Sequence, residues 1–547
     1  MAVLAPSTAA VDAILAALDP EQRAAATLPD GPAQIIAPAG SGKTTTMVAR
    51  LAVLLSRGVA PDRICVVTFN RDAAADLAAR VARRLGDVVA DAASIEIRTL
   101  HALARQVLLD AGEGRRIVAD RLPLLRAARR RATSRAAEPL PEAPQLDTWL
   151  SAWKVERREP PDHARAVLEA YDDLLRIRDA VDFDDLVVRA CDLLETDPRL
   201  RVRWQARFLH VCVDEFQDVD AAQLRLVRLL AAPEDNLFVV GDDDQTIYAW
   251  RLADVRRILS FTADYPTARR VMLATNYRCP AAVVAASARM VAVNRERFAK
   301  PIRALAGAVA SGTSIAAWST AGPDWTDAMA RLAAREDAAG RTVCFLARTR
   351  GELTPVLLAL VRAGVRQVTA VPPIVESERV VTLVDALREL ATAEHPFHVV
   401  RRLRAGRGWR RDDPAADALG DDDHAALDAL LGWTVGFSRT DAFVAAYDAA
   451  RARIASLRDP AAPIELATVH ASKGREWETV VIIGFEADRI PNRRSLVDGD
   501  DPNRALEEER RLAYVALTRA TREVILAFDP ARPSPFLSEL GFGSAGG

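Results

Sequence analysis

A stretch of eight residues near the N-terminus, "APAGSGKT" at positions 37–44, has the residue types needed to hold a phosphate chain. It follows Ile35 and Ile36, which are typical of the end of a buried strand, and it precedes a segment with helical periodicity. Small residues allow a tight turn in which several backbone N–H groups point at one anion. The alternative is a glycine-rich turn that only joins a strand to a helix.

The stretch fits a permissive form of the Walker A pattern, with Ala37 in place of the first glycine. In that pattern Lys43 reaches the β- and γ-phosphates of a nucleotide, and the Thr44 hydroxyl enters the coordination shell of Mg²⁺. The predicted cofactors are therefore ATP and Mg²⁺. The nucleotide-binding residues predicted in this loop are Ala39, Gly40, Ser41, Gly42, Lys43, Thr44 and Thr45.

The scarcity of lysine is a second indication that Lys43 takes part in chemistry. The chain has 73 Lys+Arg, and only four of them are lysine. The planar guanidinium of arginine cannot replace a compact ammonium at every site, so a lysine that persists in this composition indicates a functional position. Lys43 lies in the phosphate loop and Lys473 in "HASKG", whereas Lys154 and Lys300 are interpreted as chance survivals.

Two adjacent acidic residues follow another buried-strand pattern, in "HVCVDEFQD" at positions 210–218. Asp214 is placed to hold Mg²⁺ directly or through water. Glu215 is placed to orient and deprotonate a water that attacks the γ-phosphate. Two acids at a strand end can also form an ordinary turn, but their combination with a phosphate loop favours an ATP-hydrolysing site.

Bulk properties limit the classes of protein that fit. A chain of 547 residues predicts three or four domains. No apolar run approaches the roughly 18 residues that cross a bilayer, and the N-terminus lacks the basic start of a secretory signal, so we expect a cytoplasmic protein. The five cysteines form no CxxC pair, which favours buried, reduced thiols.

Net charge is −2, so nucleic acid would have to be bound by local surfaces rather than by the molecule as a whole. Two arginine-rich stretches, at 121–135 and 400–411, stand out. In a chain so rich in arginine, the simpler interpretation of both is a solvated helix face.

Alternating strand and helix patterns predict an α/β fold with parallel sheets in two related halves. Each half is interrupted by a mainly helical insertion. The predicted limits are residues 1–103 and 183–275 for the first half, 104–182 for its insertion, 276–372 and 464–540 for the second half, and 373–463 for its insertion. A proline-rich break, "EPLPEAP" at 138–144, lies inside the first insertion.

Ten motifs, in order, resemble those of the UvrD/Rep/PcrA family of superfamily 1 DNA helicases. They are "LDPEQRAA", "APAGSGKT", "VVTFNRDAA", "TLHAL", "DFDDL", "VDEFQD", "VVGDDDQTIYAWR", "NYRCP", "TVHASKGREWE" and "EERRLAYVALTRA". The resemblance spans nearly the whole chain. It implies two RecA-like P-loop domains, each with a helical insertion, that act as an ATP-dependent 3′–5′ DNA helicase in DNA repair or replication restart. The implied partners are single-stranded DNA and junctions of single-stranded with duplex DNA.

The resemblance also assigns residues to the nucleoside. Gln22 corresponds to the glutamine that reads adenine, because its side-chain amide offers both a donor and an acceptor to the base edge. Tyr277 is similar to the tyrosine that stacks on the adenine, and Glu476 matches a contact to the ribose.

Three further residues are assigned to the γ-phosphate by the same resemblance. Arg278 and Arg519 correspond to arginines of the second half that stabilise charge in the transition state, and Gln245 to the residue that senses the γ-phosphate. The predicted catalytic residues are Lys43, Asp214, Glu215, Gln245, Arg278 and Arg519.

DNA contacts that tolerate any sequence need stacking platforms and backbone contacts. Trp250 resembles the family's base-stacking tryptophan and Phe69 a residue of a base pocket, while Tyr248 is also interpretable as core. The predicted DNA-binding residues are Thr68, Phe69, Asn70, Arg71, Thr99, His101, Tyr248, Trp250, Arg251 and His470. The chain departs from the family's pattern at Asp72, where a cation is usual, and at Leu252, where glycine is usual.

The sequence also allows other functions. The second insertion is shorter than the mobile subdomain of the best-known relatives, which motivates a single-strand translocase that displaces bound proteins with little unwinding. A motor subunit of a helicase–nuclease complex is a further alternative. A nucleotide-switched binding protein is disfavoured because the catalytic residues are intact.

Overall fold

The computed structural model describes residues 8–86, 92–133, 140–141, 143–305, 314–369, 374–390, 393–410, 421–498 and 501–542. Three of the seven residues of the predicted proline-rich break, at positions 138, 139 and 142, and the C-terminal ends of both arginine-rich stretches lie outside these residues. The chain divides into two compact units. The first comprises Met1–Tyr277 and Glu296–Ile302, and the second comprises Arg278–Arg295 and Arg303–Gly547.

The first unit is built on a parallel sheet of six strands. These strands are β1 (Ala33–Ile36), β2 (Ile64–Thr68), β3 (Glu96–Thr99), β6 (His210–Val213), β7 (Leu237–Gly241) and β8 (Arg269–Met272). Their spatial order is β3-β2-β6-β7-β1-β8, and every neighbouring pair is parallel. The four inner strands are buried at every position, which explains their nearly continuous apolar sequences.

Helices cover both faces of this sheet. Successive strand residues pack on opposite faces, so Ile35 and Ile36 belong to two different apolar clusters. The helices of the unit are α1 (Thr8–Ala16), α2 (Pro20–Ala26), α3 (Lys43–Ser56), α4 (Arg71–Leu85), α5 (Leu100–Asp110), α6 (Leu122–Thr133), α7 (Ala143–Glu156), α8 (Asp162–Ile177), α9 (Phe183–Thr196), α10 (Pro198–Gln205), α11 (Ala221–Ala231), α12 (Val255–Leu259) and α13 (Phe261–Asp264). Three short strands complete it, namely β4 (Arg116–Ile117), β5 (Ala180–Val181) and β9 (Thr275–Asn276).

Helices α6, α7 and α8 form an insertion that has its own apolar core. Lys154 of α7 joins this insertion to α9, because its ammonium lies 2.9–3.0 Å from carboxylate oxygens of Asp172, Asp182 and Asp185. Burial alone would lower the pKa of Lys154, but the three carboxylates outweigh it and raise the pKa. The interpretation of Lys154 as a chance survival was therefore wrong.

The second unit also contains a parallel sheet of six strands. These are β11 (Ile315–Ser319), β12 (Val343–Ala347), β13 (Val368–Thr369), β14 (Ile464–Thr468), β15 (Trp477–Ile483) and β16 (Ala520–Phe528), following the short β10 (Arg303–Ala304). Their spatial order is β11-β16-β15-β12-β14-β13. The helices are α14 (Ala281–Val291), α15 (Trp325–Ala338), α16 (Arg350–Arg362), α17 (Glu378–Leu390), α18 (Pro396–Gly406), α19 (Asp421–Thr434), α20 (Thr440–Leu457), α21 (Arg493–Asp498), α22 (Pro502–Leu517) and α23 (Phe536–Leu540).

The helical insertion of the second unit is packed differently from that of the first. Its helices α17 to α20 share one continuous apolar cluster with α15, α16 and the sheet strands. Leu383 of α17, Leu427 of α19 and Phe345 of β12 all belong to this cluster and are fully buried. The insertion is therefore part of the main core of its unit rather than a body with a core of its own.

The predicted α/β fold with two parallel sheets and helical insertions is confirmed. The exact subdomain limits stay predictions. All five cysteines are buried, as their apolar neighbours indicated. None of the described helices is both long and apolar enough to cross a bilayer.

A buried ionic cluster ties the returning segment Glu296–Ile302 to the first unit. The Lys300 ammonium donates to Asp242 Oδ1 at 2.7 Å and to Asp243, and it lies 2.9 Å from Asp244 Oδ2. Arg297 adds two hydrogen bonds to Asp244, at 3.0 and 2.8 Å. The Lys300 side chain is only 1% exposed, so it too was wrongly interpreted as a chance survival.

We expect Lys300→Met to lower the free energy of unfolding by about 3–5 kcal/mol, because it leaves buried carboxylates without their counter-charge. A matched control is Arg80→Met, which breaks the exposed pair of Arg80 with Asp76 four residues earlier. That change is expected to cost less than about 0.5 kcal/mol. Urea titration followed by circular dichroism measures both, and equal losses in the two variants would contradict the assignment.

Candidate active site

The order of strands places the predicted chemistry along one edge of the first sheet. In a parallel sheet all strands end at the same edge, where ligands of α/β proteins bind. Along this edge the ends of β3 and β2 carry predicted DNA-binding residues, the end of β6 carries Asp214, the end of β7 leads to Gln245, and the end of β1 leads to the phosphate loop. The carboxylates of Asp214 and Glu215 thus lie between the predicted DNA side and the phosphate loop.

The phosphate loop joins β1 to α3 and has the tight backbone that its sequence predicts. Gly40 and Gly42 have φ of 69° and 81°, in the left-handed region that favours glycine. A Cβ on Gly42 would lie 2.5 Å from Gln22 Nε2, so the close approach of Gln22 also requires glycine there. Lys43 is the first residue of α3, and its ammonium donates to the carbonyl oxygen of Ala37 at 3.4 Å.

An unpartnered polar atom in this loop fits a bound phosphate. Ser41 is buried, and its Oγ has no hydrogen-bond partner in the part of the chain that the structure describes. Buried hydroxyls are normally hydrogen-bonded. An unpartnered hydroxyl in a phosphate-loop sequence is therefore suited to donate a hydrogen bond to an anionic ligand. With Lys43 and the N-terminus of α3 close in sequence, the residues present suit a triphosphate and its Mg²⁺.

Asp19, Gln22 and Tyr277 form one hydrogen-bonded group beside the phosphate loop. Asp19 caps α2 by accepting from Gln22 N at 2.7 Å, while Gln22 Nε2 donates to the carbonyl oxygen of Ser41 at 2.9 Å. The Tyr277 hydroxyl donates to Asp19 Oδ2. Burial and the neighbouring Asp19 carboxylate raise the pKa of Tyr277 to about 12, so its hydroxyl stays protonated. The group brings Gln22 and Tyr277 to the same end of the phosphate loop.

The two carboxylates at the end of β6 differ in their settings. Asp214 continues the strand, and its backbone N–H donates to the carbonyl oxygen of Val67 at 2.9 Å. Glu215 follows in the left-handed region, with φ of 52°, and its Oε1 lies 3.8 Å from the Lys43 ammonium. A non-glycine residue with this backbone conformation is strained and typical of functional sites. The turn therefore directs the two carboxylates of adjacent residues to different positions.

Gln217 connects Glu215 to the end of β7 and was not among the predicted site residues. Its Nε2 donates to Glu215 Oε2 at 2.6 Å, and its Oε1 accepts from the backbone N–H of Asp242 at 3.0 Å. Asp242 in turn accepts from Gln245 Nε2 at 2.7 Å. The position of Gln217 within "VDEFQD", two residues after Glu215, was the only sequence signal for it.

Aromatic side chains form a layered group on the predicted DNA side. Phe69 and Tyr248 stack with ring centroids 4.7 Å apart, and Trp250 meets Tyr248 edge-on at 6.3 Å. Arg251 lies over Trp250 at 4.7 Å. Trp250 is 61% exposed, so the ring surface that Arg251 does not cover is accessible to a base, whereas Tyr248 is half-buried within the stack.

The remaining predicted DNA-binding residues of this unit lie at the ends of β2 and β3. Thr99 caps α5 and Asn70 caps α4, and Arg71 is exposed in the first turn of α4. A small cleft in this region brings Thr68, Phe69 and His101 together with Asp214 and Glu215. It is lined by Val67, Thr68, Phe69, Leu100, His101, Val213, Asp214, Glu215, Val219 and Gln223.

His101 packs edge-on against Phe183 of "DFDDL", with ring centroids 5.7 Å apart. Burial lowers the pKa of His101, against the opposing effect of Asp184, so a DNA contact from this residue would come from a neutral imidazole. The same motif joins the insertion to α9, since Asp184 accepts from Arg121 Nη1 at 2.5 Å and from Ser151 Oγ at 2.7 Å.

The other predicted residues belong to the second unit. Arg278 donates to Glu476 Oε2 at 2.7 Å and to the carbonyl oxygen of Thr518 at 3.3 Å. Arg519 is only 1% exposed and donates to the carbonyl oxygen of Val515 at 2.9 Å. His470 begins a short 3₁₀ turn after β14. This unit therefore brings Arg278, Glu476 and Arg519 to one region around Thr518.

Comparisons with known proteins agree with these motifs. Residues 18–266 match the UvrD/REP helicase N-terminal domain, and residues 449–529 match the UvrD-like helicase C-terminal domain. Together the two matched ranges cover more than half of the chain.

Among curated proteins, the ATP-dependent DNA helicase PcrA of Leuconostoc citreum is 35% identical over 314 residues, which are 53% of this chain and 41% of that protein. PcrA of Staphylococcus aureus is 32% identical over 313 residues, which are 53% of this chain and 42% of that protein. The ATP-dependent DNA helicase UvrD2 of Mycobacterium tuberculosis is 29% identical over 582 residues, covering 96% of this chain and 80% of that protein. The match thus spans less than half of the two PcrA relatives and most of UvrD2.

Both matched domains are of one family, and the phosphate loop, the carboxylate pair and the aromatic group of the first unit lie at the motifs that the resemblance rests on. The chain therefore belongs to the UvrD/PcrA-like family of superfamily 1 ATP-dependent DNA helicases.

Proposed function

We propose that this protein is a DNA-stimulated ATPase that moves 3′ to 5′ on single-stranded DNA and unwinds duplex DNA, in repair or replication restart. The observation that carries the proposal is the arrangement of one sheet edge. The phosphate loop, the Asp214–Glu215 pair and the stack of Phe69, Tyr248 and Trp250 all follow strands of the same parallel sheet. A change at the nucleotide therefore has a short path to a base-stacking surface.

In the proposed hydrolysis step, Lys43 binds the β- and γ-phosphates and Glu215 orients and deprotonates the attacking water. Mg²⁺, held through Thr44 and Asp214, would neutralise charge on the phosphate oxygens. Arg278 and Arg519 are proposed to stabilise the charge of the transition state, as the family resemblance implies. Gln22 and Tyr277, held by Asp19, are proposed to select adenine.

Coupling to movement is proposed to run from Gln245 to the stacking residues. Gln245, Tyr248 and Trp250 lie within six residues of one another, so a shift of Gln245 toward a γ-phosphate moves the segment that carries the rings. Cleavage of ATP would then alternate the grip on the strand. Each base-pair step costs on the order of 1.4 kcal/mol to separate, which is well within the free energy of one ATP.

A single-strand translocase with little unwinding is the second candidate, and one observation favours it. Helices α17 to α20 share the main core of the second unit, so the described residues of this insertion do not form a separate body that could grip a duplex. Strand displacement from tailed duplexes and streptavidin displacement from single strands separate the two candidates.

Glu215→Gln is expected to bind ATP as the wild type does and to hydrolyse it about a thousandfold more slowly, because the amide cannot take a proton from water. Steady-state ATPase assays and equilibrium binding of a fluorescent ATP analogue measure the two effects. Hydrolysis at the wild-type rate would remove Glu215 from its assigned role.

Trp250→Ala is expected to raise the concentration of single-stranded DNA needed for half-maximal ATPase stimulation by about fivefold or more, since a base stack is worth about 1–3 kcal/mol. Trp250→Phe is the matched control, because it keeps an aromatic face and should keep most of the stimulation. Equal behaviour of the two variants would argue against stacking.

The direction and outcome of movement are tested with tailed duplexes. We expect ATP-dependent strand displacement from duplexes with a 3′ single-stranded tail and little from those with a 5′ tail. A parallel assay in which the protein displaces streptavidin from biotinylated single strands measures translocation without unwinding. Streptavidin displacement without strand separation selects the translocase, and activity only on 5′ tails contradicts the proposed direction.

A further inference from the structure

Gln217 is a fully buried polar side chain that is hydrogen-bonded to the proposed general base. It lies in the 3₁₀ turn Phe216–Asp218, and both ends of its amide are used. The nitrogen donates to Glu215 Oε2 at 2.6 Å, and the oxygen accepts from the Asp242 backbone N–H at 3.0 Å. One side chain therefore links the turn after β6 to the first residue after β7.

The link continues in both directions. Beyond Glu215, the Lys43 ammonium of the phosphate loop lies 3.8 Å from Glu215 Oε1. Beyond Asp242, one carboxylate oxygen accepts from Gln245 and the other from Lys300. The Asp242 carboxylate is ionised, because Lys300 and Lys43 outweigh the burial that would otherwise raise its pKa. Gln217 therefore connects Glu215 to Asp242, whose own carboxylate is held by Gln245 and Lys300.

We propose that Gln217 is a positioning residue for the general base: its amide holds the Glu215 carboxylate at a set distance from the Asp242–Gln245 segment. The inference deepens the proposed function and rests on the role given there to Glu215. A base must lie within hydrogen-bonding reach of the water that it deprotonates, and a displacement of about 1 Å can cost about a hundredfold in rate. Gln217 fixes one carboxylate oxygen, so the other remains directed toward the phosphate-loop lysine.

A glycine at the end of β7 makes room for this amide. A Cβ on Gly241 would lie 2.6 Å from Gln217 Oε1 and 2.8 Å from Ile258 Cδ1. Contacts that short do not occur, so any side chain at position 241 would push the Gln217 amide away from Asp242. The absence of a side chain here is what allows the turn after β6 to be bonded to β7.

The same amide offers a route by which Gln245 and Glu215 affect each other. Gln245 donates to the carboxylate of Asp242, and Gln217 accepts from the backbone N–H of that same residue. Movement of Asp242 when Gln245 changes partner would therefore be transmitted to Glu215 through two hydrogen bonds. Glu215 would be fully aligned with the attacking water only while Asp242, at the end of β7, keeps its present position.

The test is a double-mutant cycle with Gln217→Met and Glu215→Gln, measured as ATPase kcat and KM with saturating single-stranded DNA. Methionine has nearly the same volume and removes both hydrogen bonds. We expect Gln217→Met to lower kcat by about tenfold to a hundredfold with KM for ATP changed less than about twofold. In the Glu215→Gln background it should cause no further loss, because a residue that acts through Glu215 has nothing left to position.

Gln34→Met is the matched control. Gln34 is equally buried, lies on β1 of the same sheet, and also uses both ends of its amide, toward the Ile258 carbonyl and Arg270. It touches none of the assigned site residues in the described contacts, so its loss should lower stability and leave kcat unchanged. Gly241→Ala is a second route to the same defect, and it should reproduce the kcat loss if Gln217→Met does not fold.

The outcomes separate this inference from the proposed function. Wild-type kcat in both Gln217→Met and Gly241→Ala overturns the positioning role, as does a loss in Gln217→Met that adds in full to that of Glu215→Gln. If Glu215→Gln itself hydrolyses ATP normally, the assignment of the base fails and this inference fails with it. A loss in Gln217→Met that is absent from Gln34→Met and from the Glu215→Gln background supports the positioning role.

Discussion

Parallel pairing of β1, β6 and β7 is the constraint on which the candidate active site depends. The register sets Ile36 beside Gly241 and Val213 beside Val239, so the loops that follow these strands leave the sheet at one edge. Each loop contributes one type of group: N–H donors and Lys43 after β1, carboxylates after β6, and Gln245 after β7. The proposed hydrolysis needs groups from all three loops, and the sheet brings these groups together. Apolar burial of the inner strands stabilises the register, since a slip would misplace both faces of the sheet.

The features that could be predicted from the sequence are those whose residues lie close together along the chain. The phosphate loop, the Asp214–Glu215 pair and the strands were found because each motif carries its own physical reason within about ten residues. Gln217 and Lys300 were missed because their roles depend on partners brought close only by folding: the Asp242 backbone lies 25 residues from Gln217, and its carboxylate 58 residues from Lys300. Three adjacent acids after an apolar strand did, however, require a counter-charge if buried, and a rare lysine was the candidate to supply it.

Lysine and arginine have separate uses in this chain. The side chains of Lys154 and Lys300 are 7% and 1% exposed, and each places one ammonium among three carboxylates. Three donors on one small nitrogen fit there, whereas a planar guanidinium would not. Arginines pair at the surface, as Arg80 does with Asp76, lie over aromatic rings, as Arg251 does over Trp250, or donate two hydrogen bonds to one carboxylate, as Arg297 does to Asp244. The scarcity of lysine therefore marks Lys154 and Lys300 as well as Lys43, because each occupies a site that needs a compact ammonium.

Leu252 shows how the stacking segment is held where the sequence departs from the family pattern. Its φ of 65° lies in the left-handed region, at the position where the resemblance leads one to expect glycine. A leucine there costs on the order of 1 kcal/mol in backbone strain. Its partly buried side chain packs on the apolar cluster of the first unit that contains Ile36, and its carbonyl oxygen accepts from Arg257 at 2.6 Å. These two contacts offset the strain. Because glycine would relax the backbone but lose the packing, leucine fixes the turn that presents Trp250 more rigidly. The segment that carries the exposed Trp250 ring is then held at its C-terminal end by the packing of Leu252, while Gln245 precedes it in the chain, and this arrangement suits the proposed transmission from nucleotide to DNA base.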